Sequence, residues 1–183
     1  MEDEEFKYEY VKKGVVQELQ FLQWLHSLFI LNVEINKEYN HNSAELFIVK
    51  LVQFLKEGDE YCQNIIPKLP TSDIFKIQLF QRILKFIEDF KENIPLAEFD
   101  FLEYKRHTVC HIFQNGYEPV QRNLKVKTLL KNRELSEIDN NLKDIISSEK
   151  TELDVQKKLF KKYYVLIEDL RTDLIYIEKQ RDN

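Results

Sequence analysis

Residues 17–39 read QELQFLQWLHSLFILNVEINKEY, and their spacing decides the fold class. From Tyr8 onward apolar residues recur at Val11, Val15, Leu19, Leu22, Leu25, Phe29 and Val33, in steps of three and four. Phe21, Trp24, Leu28, Leu31 and Ile35 form a second stripe with the same steps. Steps of three and four place residues on one face of an α-helix. A surface helix needs one such stripe. Two stripes on one segment require burial on two sides, either inside a bundle or against a second chain.

Working outward, the same period continues. Phe47, Leu51, Phe54, Leu55 and Cys62 extend a helical face, after a polar interruption at Asn40-His-Asn-Ser43 where Asn42 or Ser43 suits a helix cap. Pro67-Lys-Leu-Pro70-Thr-Ser-Asp73 is the clearest punctuation in the chain. Phe80, Ile83, Ile87, Phe90 and Ile94 then share a face, and Leu102, Val109 and Phe113 another. Leu135, Ile138, Leu142 and Ile145 follow, and Phe160, Tyr163, Ile167, Leu170, Leu174 and Ile177 make a heptad-like seam. Thr151 with Asp154 resembles a capping pair.

No strand alternation is visible. The expectation is an all-α chain: one helical domain over 1–183, built as an elongated antiparallel three-helix coiled-coil bundle. Its helices are predicted at about 5–66, 72–146 and 149–181, with breaks near 40, 95 and 119 at the polar stretch, Pro95 and Pro119. Unbroken, the longer segments would reach roughly 90 Å, and their open stripes call for a homodimer or another partner.

Composition agrees and excludes much. Of 183 residues only three are Gly and four Pro, too few for a turn-rich β protein. The longest purely apolar run, Leu28–Leu31, is far short of a membrane span. The opening MEDEEF lacks the layout of a secretory signal. Cys62 and Cys110 imply no disulfide framework. A soluble, cytoplasmic protein is expected.

Charge is uneven. Residues 1–103 carry 11 basic and 19 acidic side chains, a net −8, whereas 104–183 carry 16 and 13, a net +3. Arg122, Lys125, Lys127, Lys131 and Arg133 occur with no acid among them, and Lys157, Lys158, Lys161 and Lys162 form a second cluster. If the last helices fold back near residue 145, Lys131 faces residue 159 and Lys127 faces residue 163. Nine like charges would then meet at one end of the rod. An anionic membrane surface neutralises such a patch, at about 1 kcal/mol per cation. The bland reading is that each cluster is an ordinary solvated helix face.

Chemistry of other kinds is missing from the sequence. Gly14, Gly58 and Gly116 are isolated, so no phosphate-cradling loop is built, and no Ser lies in a Gly-x-Ser-x-Gly elbow. His107, Cys110 and His111 share a helical face, but no fourth zinc ligand is evident, and Cys110 reads as a small core residue. Pairs such as Glu88 with Glu92 lack the Glu-x-x-His pattern of di-iron bundles. No enzymatic activity, metal or cofactor is expected.

The layout resembles the BAR-domain superfamily. Val33-Glu-Ile-Asn-Lys-Glu-Tyr39, after an aromatic and leucine-rich helix, looks like the first-helix pattern of BAR and F-BAR proteins. Phe101–Asn183 is similar in texture to the second and third helices of the sorting-nexin branch. That resemblance implies a curved dimer whose basic tips and concave face contact anionic lipid in membrane trafficking, peripheral to a cytoplasmic membrane surface. The positions matching that role are the nine cations named above. A second function class stands beside it: a helical adaptor or assembly subunit that buries Phe21, Trp24, Leu28, Leu31 and Ile35 on a different protein. Nucleic acid is the weakest partner, because the chain is acidic overall and carries no recognition motif.

Overall fold

In the computed structural model, which describes residues 2–110, 125–127 and 132–181, six α-helices carry most of the described residues. They are α1 (Glu2–Lys37), α2 (His41–Ile65), α3 (Ile74–Asn93), α4 (Leu96–Cys110), α5 (Leu135–Ser147) and α6 (Glu152–Arg181). The all-α class is as expected. Six helices stand where three long ones were predicted, and the reason lies in the breaks.

At the first break the chain turns back instead of kinking. Asn40 is extended, and its side chain accepts a hydrogen bond from the Ser43 amide at 3.1 Å, capping α2. Such a cap contributes about 1 kcal/mol. A straight rod would leave Leu25, Leu28, Phe29, Phe47, Leu51 and Leu55 in water; all are buried here. Each is worth about 1.5–3 kcal/mol when buried, which outweighs about 1–2 kcal/mol of backbone entropy per residue ordered in the short turn. α1 and α2 therefore lie side by side and antiparallel, with Trp24 Nε1 donating to the Lys50 carbonyl at 3.1 Å.

The second turn is the expected one. A 3-10 turn at Ile66–Lys68 leads to Asp73, whose carboxylate accepts from the Lys76 amide at 3.1 Å and caps α3. α3 runs back along α2. Pro95 then ends it, and α4 continues on a new axis over another part of α2. The break predicted near 95 is thus present, while Pro119 lies outside the described residues.

The predicted helix over 72–146 does not run through to α5. Lys125–Lys127 and Asn132–Glu134 instead form a short antiparallel ladder, with Lys125 opposite Glu134 and Lys127 opposite Asn132. Lys-Val-Lys alternates charged and apolar residues, a period of two that suits a strand better than a helix. α6 begins three residues later than predicted. Its cap is the expected pair, with the Asp154 amide donating to Thr151 Oγ1 at 3.1 Å and the Thr151 hydroxyl donating to Asp154 Oδ2 at 2.7 Å.

The core is one aromatic-rich cluster. α2 sits centrally, against α1, α3 and α4, while α6 closes the other side against α3 and α1. The α6 seam read as a coiled-coil stripe packs inside the chain: Tyr163, Ile167, Leu170 and Leu174 are all buried. Buried polar groups set register between distant helices. Asn32 Nδ2 donates to the Tyr164 carbonyl at 3.2 Å, and Asn141 Nδ2 to the buried Asp100 carboxylate at 2.8 Å. Lys105, also buried, places its ammonium 3.3 Å from Glu45 and 3.7 Å from Glu152, tying α2, α4 and α6 together. Among the described residues no helix is long and apolar enough to cross a membrane.

Candidate functional site

The predicted basic face is only partly assembled. Arg122 and Lys131 lie outside the described residues. Lys125, Lys127 and Arg133 belong to the two-stranded ladder, so the helical hairpin that was to carry Lys127 opposite residue 163 is not formed. Lys157, Lys158, Lys161 and Lys162 are all exposed on α6. Two of them already have acids: Lys158 pairs with Glu149, and Lys162 Nζ donates to both Glu98 oxygens at 2.8 Å. Glu149 holds the Lys158 ammonium above its usual range by a hydrogen bond and by charge. Lys157 Nζ sits 5.2 Å from the Tyr39 ring centre. Glu98 also accepts from the Tyr163 hydroxyl, and burial together with that carboxylate pushes the phenol far up.

The predicted partner stripe divides in two. Leu28, Leu31 and Ile35 are buried by the chain's own helices, which corrects the expectation that they wait for another molecule. Near Asn32, α6 joins α1 and covers that part of the stripe. Phe21 and Trp24, one to two turns earlier, stay partly exposed.

These two rings line an open groove of about 1030 Å³ between α1 and α2. Its floor is aromatic. Phe21 stacks on Tyr61 with centroids 4.5 Å apart, and lies 6.0 Å from both Phe54 and the fully buried Phe80. Lys50 Nζ lies 3.9 Å over the Trp24 ring, a cation–π contact, and burial lowers its pKa from the usual lysine range. Gln17 and Gln20 from α1 and Gln53, Glu57, Glu60 and Asn64 from α2 form the walls. The Tyr61 hydroxyl is buried and meets no hydrogen-bond partner among the described residues. Burial and the charge of Glu18 push its pKa up to about 12.

Gln53, Glu57, Glu60 and Asn64 recur on α2 in steps of three and four that put one polar stripe beside an aromatic one. That juxtaposition is readable from sequence and marks the wall opposite Trp24. An apolar floor with polar walls can hold an apolar helix face and bond its flanks.

Neither cysteine belongs to this groove's lining. Cys62 is buried, and desolvation with nearby Asp59 pushes its thiol up to about 12, whereas Cys110 is exposed, contrary to its reading as a core residue. A neutral thiol-titration of the native protein is therefore expected to modify Cys110 alone, since the thiolate is the reactive form. Denaturation should release Cys62; two fast native thiols would contradict this packing.

Comparison with family models, with curated proteins and with solved structures returns no match to this chain.

Proposed function

We propose that the chain is a helical adaptor that receives an amphipathic helix of another protein in the α1–α2 groove. One observation carries this reading: Trp24 and Phe21, the aromatic heart of the open stripe, line the groove instead of closing into the core. Buried aromatic anchors supply most of the energy at protein interfaces. The walls choose the partner's charge. Glu57 and Glu60 stand against Lys68 alone among the charged lining residues, and residues 1–103 carry a net −8. A helix with an apolar face and cationic flanks fits both.

Trp24 is the only tryptophan, so its emission reports the groove directly. Titrating a synthetic Leu/Lys amphipathic helical peptide is expected to blue-shift that emission as the ring loses water. Glu57→Lys with Glu60→Lys should weaken binding about tenfold or more, each tenfold step being about 1.4 kcal/mol. Unchanged emission, or binding indifferent to the double substitution, would overturn the reading.

A second reading is supported by the run from Arg122 to Arg133, five cations without an intervening acid. In it the chain acts as a BAR-like dimer on an anionic membrane, peripheral to a cytoplasmic surface and shaping or sensing curvature. Salt-sensitive sedimentation with anionic but not neutral liposomes, together with a silent Trp24, would favour it over the adaptor.

A further inference from the structure

One face of α6 is left open by the packing of the chain. Lys158, Lys161, Val165, Asp169, Thr172 and Tyr176 follow one another in steps of three and four, and every one is exposed. Val165 is 53% exposed, its neighbour Leu166 43% and Tyr176 64%. The two aliphatic residues lie at the midpoint of a charge gradient. Residues 155–164 carry four Lys and no acid; residues 167–178 carry Glu168, Asp169, Asp173 and Glu178 against Arg171 alone.

Such a helix complements itself in one orientation. A parallel copy would set lysines on lysines. An antiparallel copy, related by a two-fold axis beside Val165, sets the basic half of each helix against the acidic half of the other. Lys161 precedes Val165 by four residues and Asp169 follows it by four, so the axis brings each against its counterpart in the second copy, twice. Lys158 and Thr172, seven residues away on either side, pair in the same way. Val165 meets itself. Isologous contacts of this kind are the usual route to a closed dimer.

The charged pair that carries the complementarity, Lys161 with Asp169, is available. Lys158 and Lys162 are engaged by Glu149 and Glu98, and Asp173 by Arg82 at 2.7 Å. Lys161 and Asp169 have no ion pair among the described residues. We infer that two copies of this chain associate antiparallel through α6, with Val165 at the two-fold axis and Lys161 against Asp169 of the other copy. The lysine cluster read from sequence as a membrane face is then one half of a self-complementary surface. A single helix face falls short of the roughly 800 Å² per partner of a standard interface, so the dimer is weak and sensitive to salt. It shares no residue with the α1–α2 groove and stands independently of what fills it.

Sedimentation equilibrium of the full chain tests this. The wild type is expected to dimerise reversibly and to dissociate as salt rises. Lys161→Asp and Asp169→Lys should each weaken the dimer about tenfold, and the two together should restore it. Both positions are exposed, so neither change threatens the fold. In a Cys110→Ser background, Val165→Cys should form a disulfide-linked dimer on mild oxidation, and Tyr176→Cys should not. A monomer at every concentration and salt, a dimer that ignores both single charge reversals, failure of the double to restore it, or equal cross-linking at the two positions would each overturn the inference.

Discussion

Phe80→Ala is expected to lower the unfolding free energy by about 3–5 kcal/mol, the range for deleting a fully buried phenylalanine. Phe80 on α3 is 0% exposed and packs beneath Phe21 of α1 and Tyr61 of α2, with centroids 6.0 and 6.2 Å away. Three helices therefore lose a common contact when the ring goes, and rigid neighbours cannot all move in to fill the space. For a chain of this length the loss corresponds to a fall of about 6–20 °C in Tm. Urea unfolding measures it, with Leu19→Ala as the control, since Leu19 is 54% exposed and should change little. A Phe80→Ala loss below about 1 kcal/mol would mean that α1, α2 and α3 do not share this cluster in solution. The same ring supports the groove floor, so the variant should also weaken any ligand read by Trp24.

How the fold was legible follows from what periodicity reports. Two stripes on α1 call for burial on two sides, which is met by Leu25 and Phe29 of one and Leu28, Leu31 and Ile35 of the other but not by Leu19, while Asp73 and Pro95 mark where helices begin and end. Periodicity gives the apolar face of a helix but not the identity of what covers it. The short polar stretch around Asn40 is long enough for α2 to fold back on α1, so the chain supplies its own partner. The same spacing would serve a long rod or a hairpin. Only the number of apolar side chains waiting on both sides of the break decides between them. The ladder at 125–127 and 132–134 escaped because three-residue strands are shorter than the window in which alternation can be recognised.

The groove was half legible. Trp24 and Phe21 stood out as aromatics on a second stripe. Nothing local distinguishes them from Leu28, Leu31 and Ile35 on that same stripe. The difference is tertiary: α6 meets α1 around Asn32 and seals the later residues, leaving the earlier ones open. Charge clusters misled for a similar reason. A run of lysines is visible in sequence, but Glu98, which engages Lys162, lies 64 residues away.

Gly58 is the position where the sign of a substitution turns on a few tenths of an ångström. It lies inside α2, where glycine costs about 1 kcal/mol relative to alanine. A Cβ placed on it would come 2.7 Å from Ile87 Cδ1 and 3.4 Å from Phe54 Cδ2. The absent side chain thus lets α2 and α3 approach closely. Gly58→Ala sets the gain in helix propensity against displacement of Ile87's terminal methyl, which sits at the far end of a flexible side chain. The two effects are of similar size, and stability should stay within about 1 kcal/mol of wild type. Gly58→Leu has no such balance. Its branched carbons must enter space held by Ile87 and Phe54, forcing the helices apart or both side chains off their rotamers. A loss of about 1–3 kcal/mol or more is expected in urea unfolding. Gly58 also lines the groove, so the leucine should blunt the Trp24 response to peptide even where the protein remains folded. A freely tolerated leucine would place α2 and α3 farther apart than this close approach requires. A destabilised Gly58→Leu beside a near-neutral Gly58→Ala would locate the tight contact at this one turn of α2.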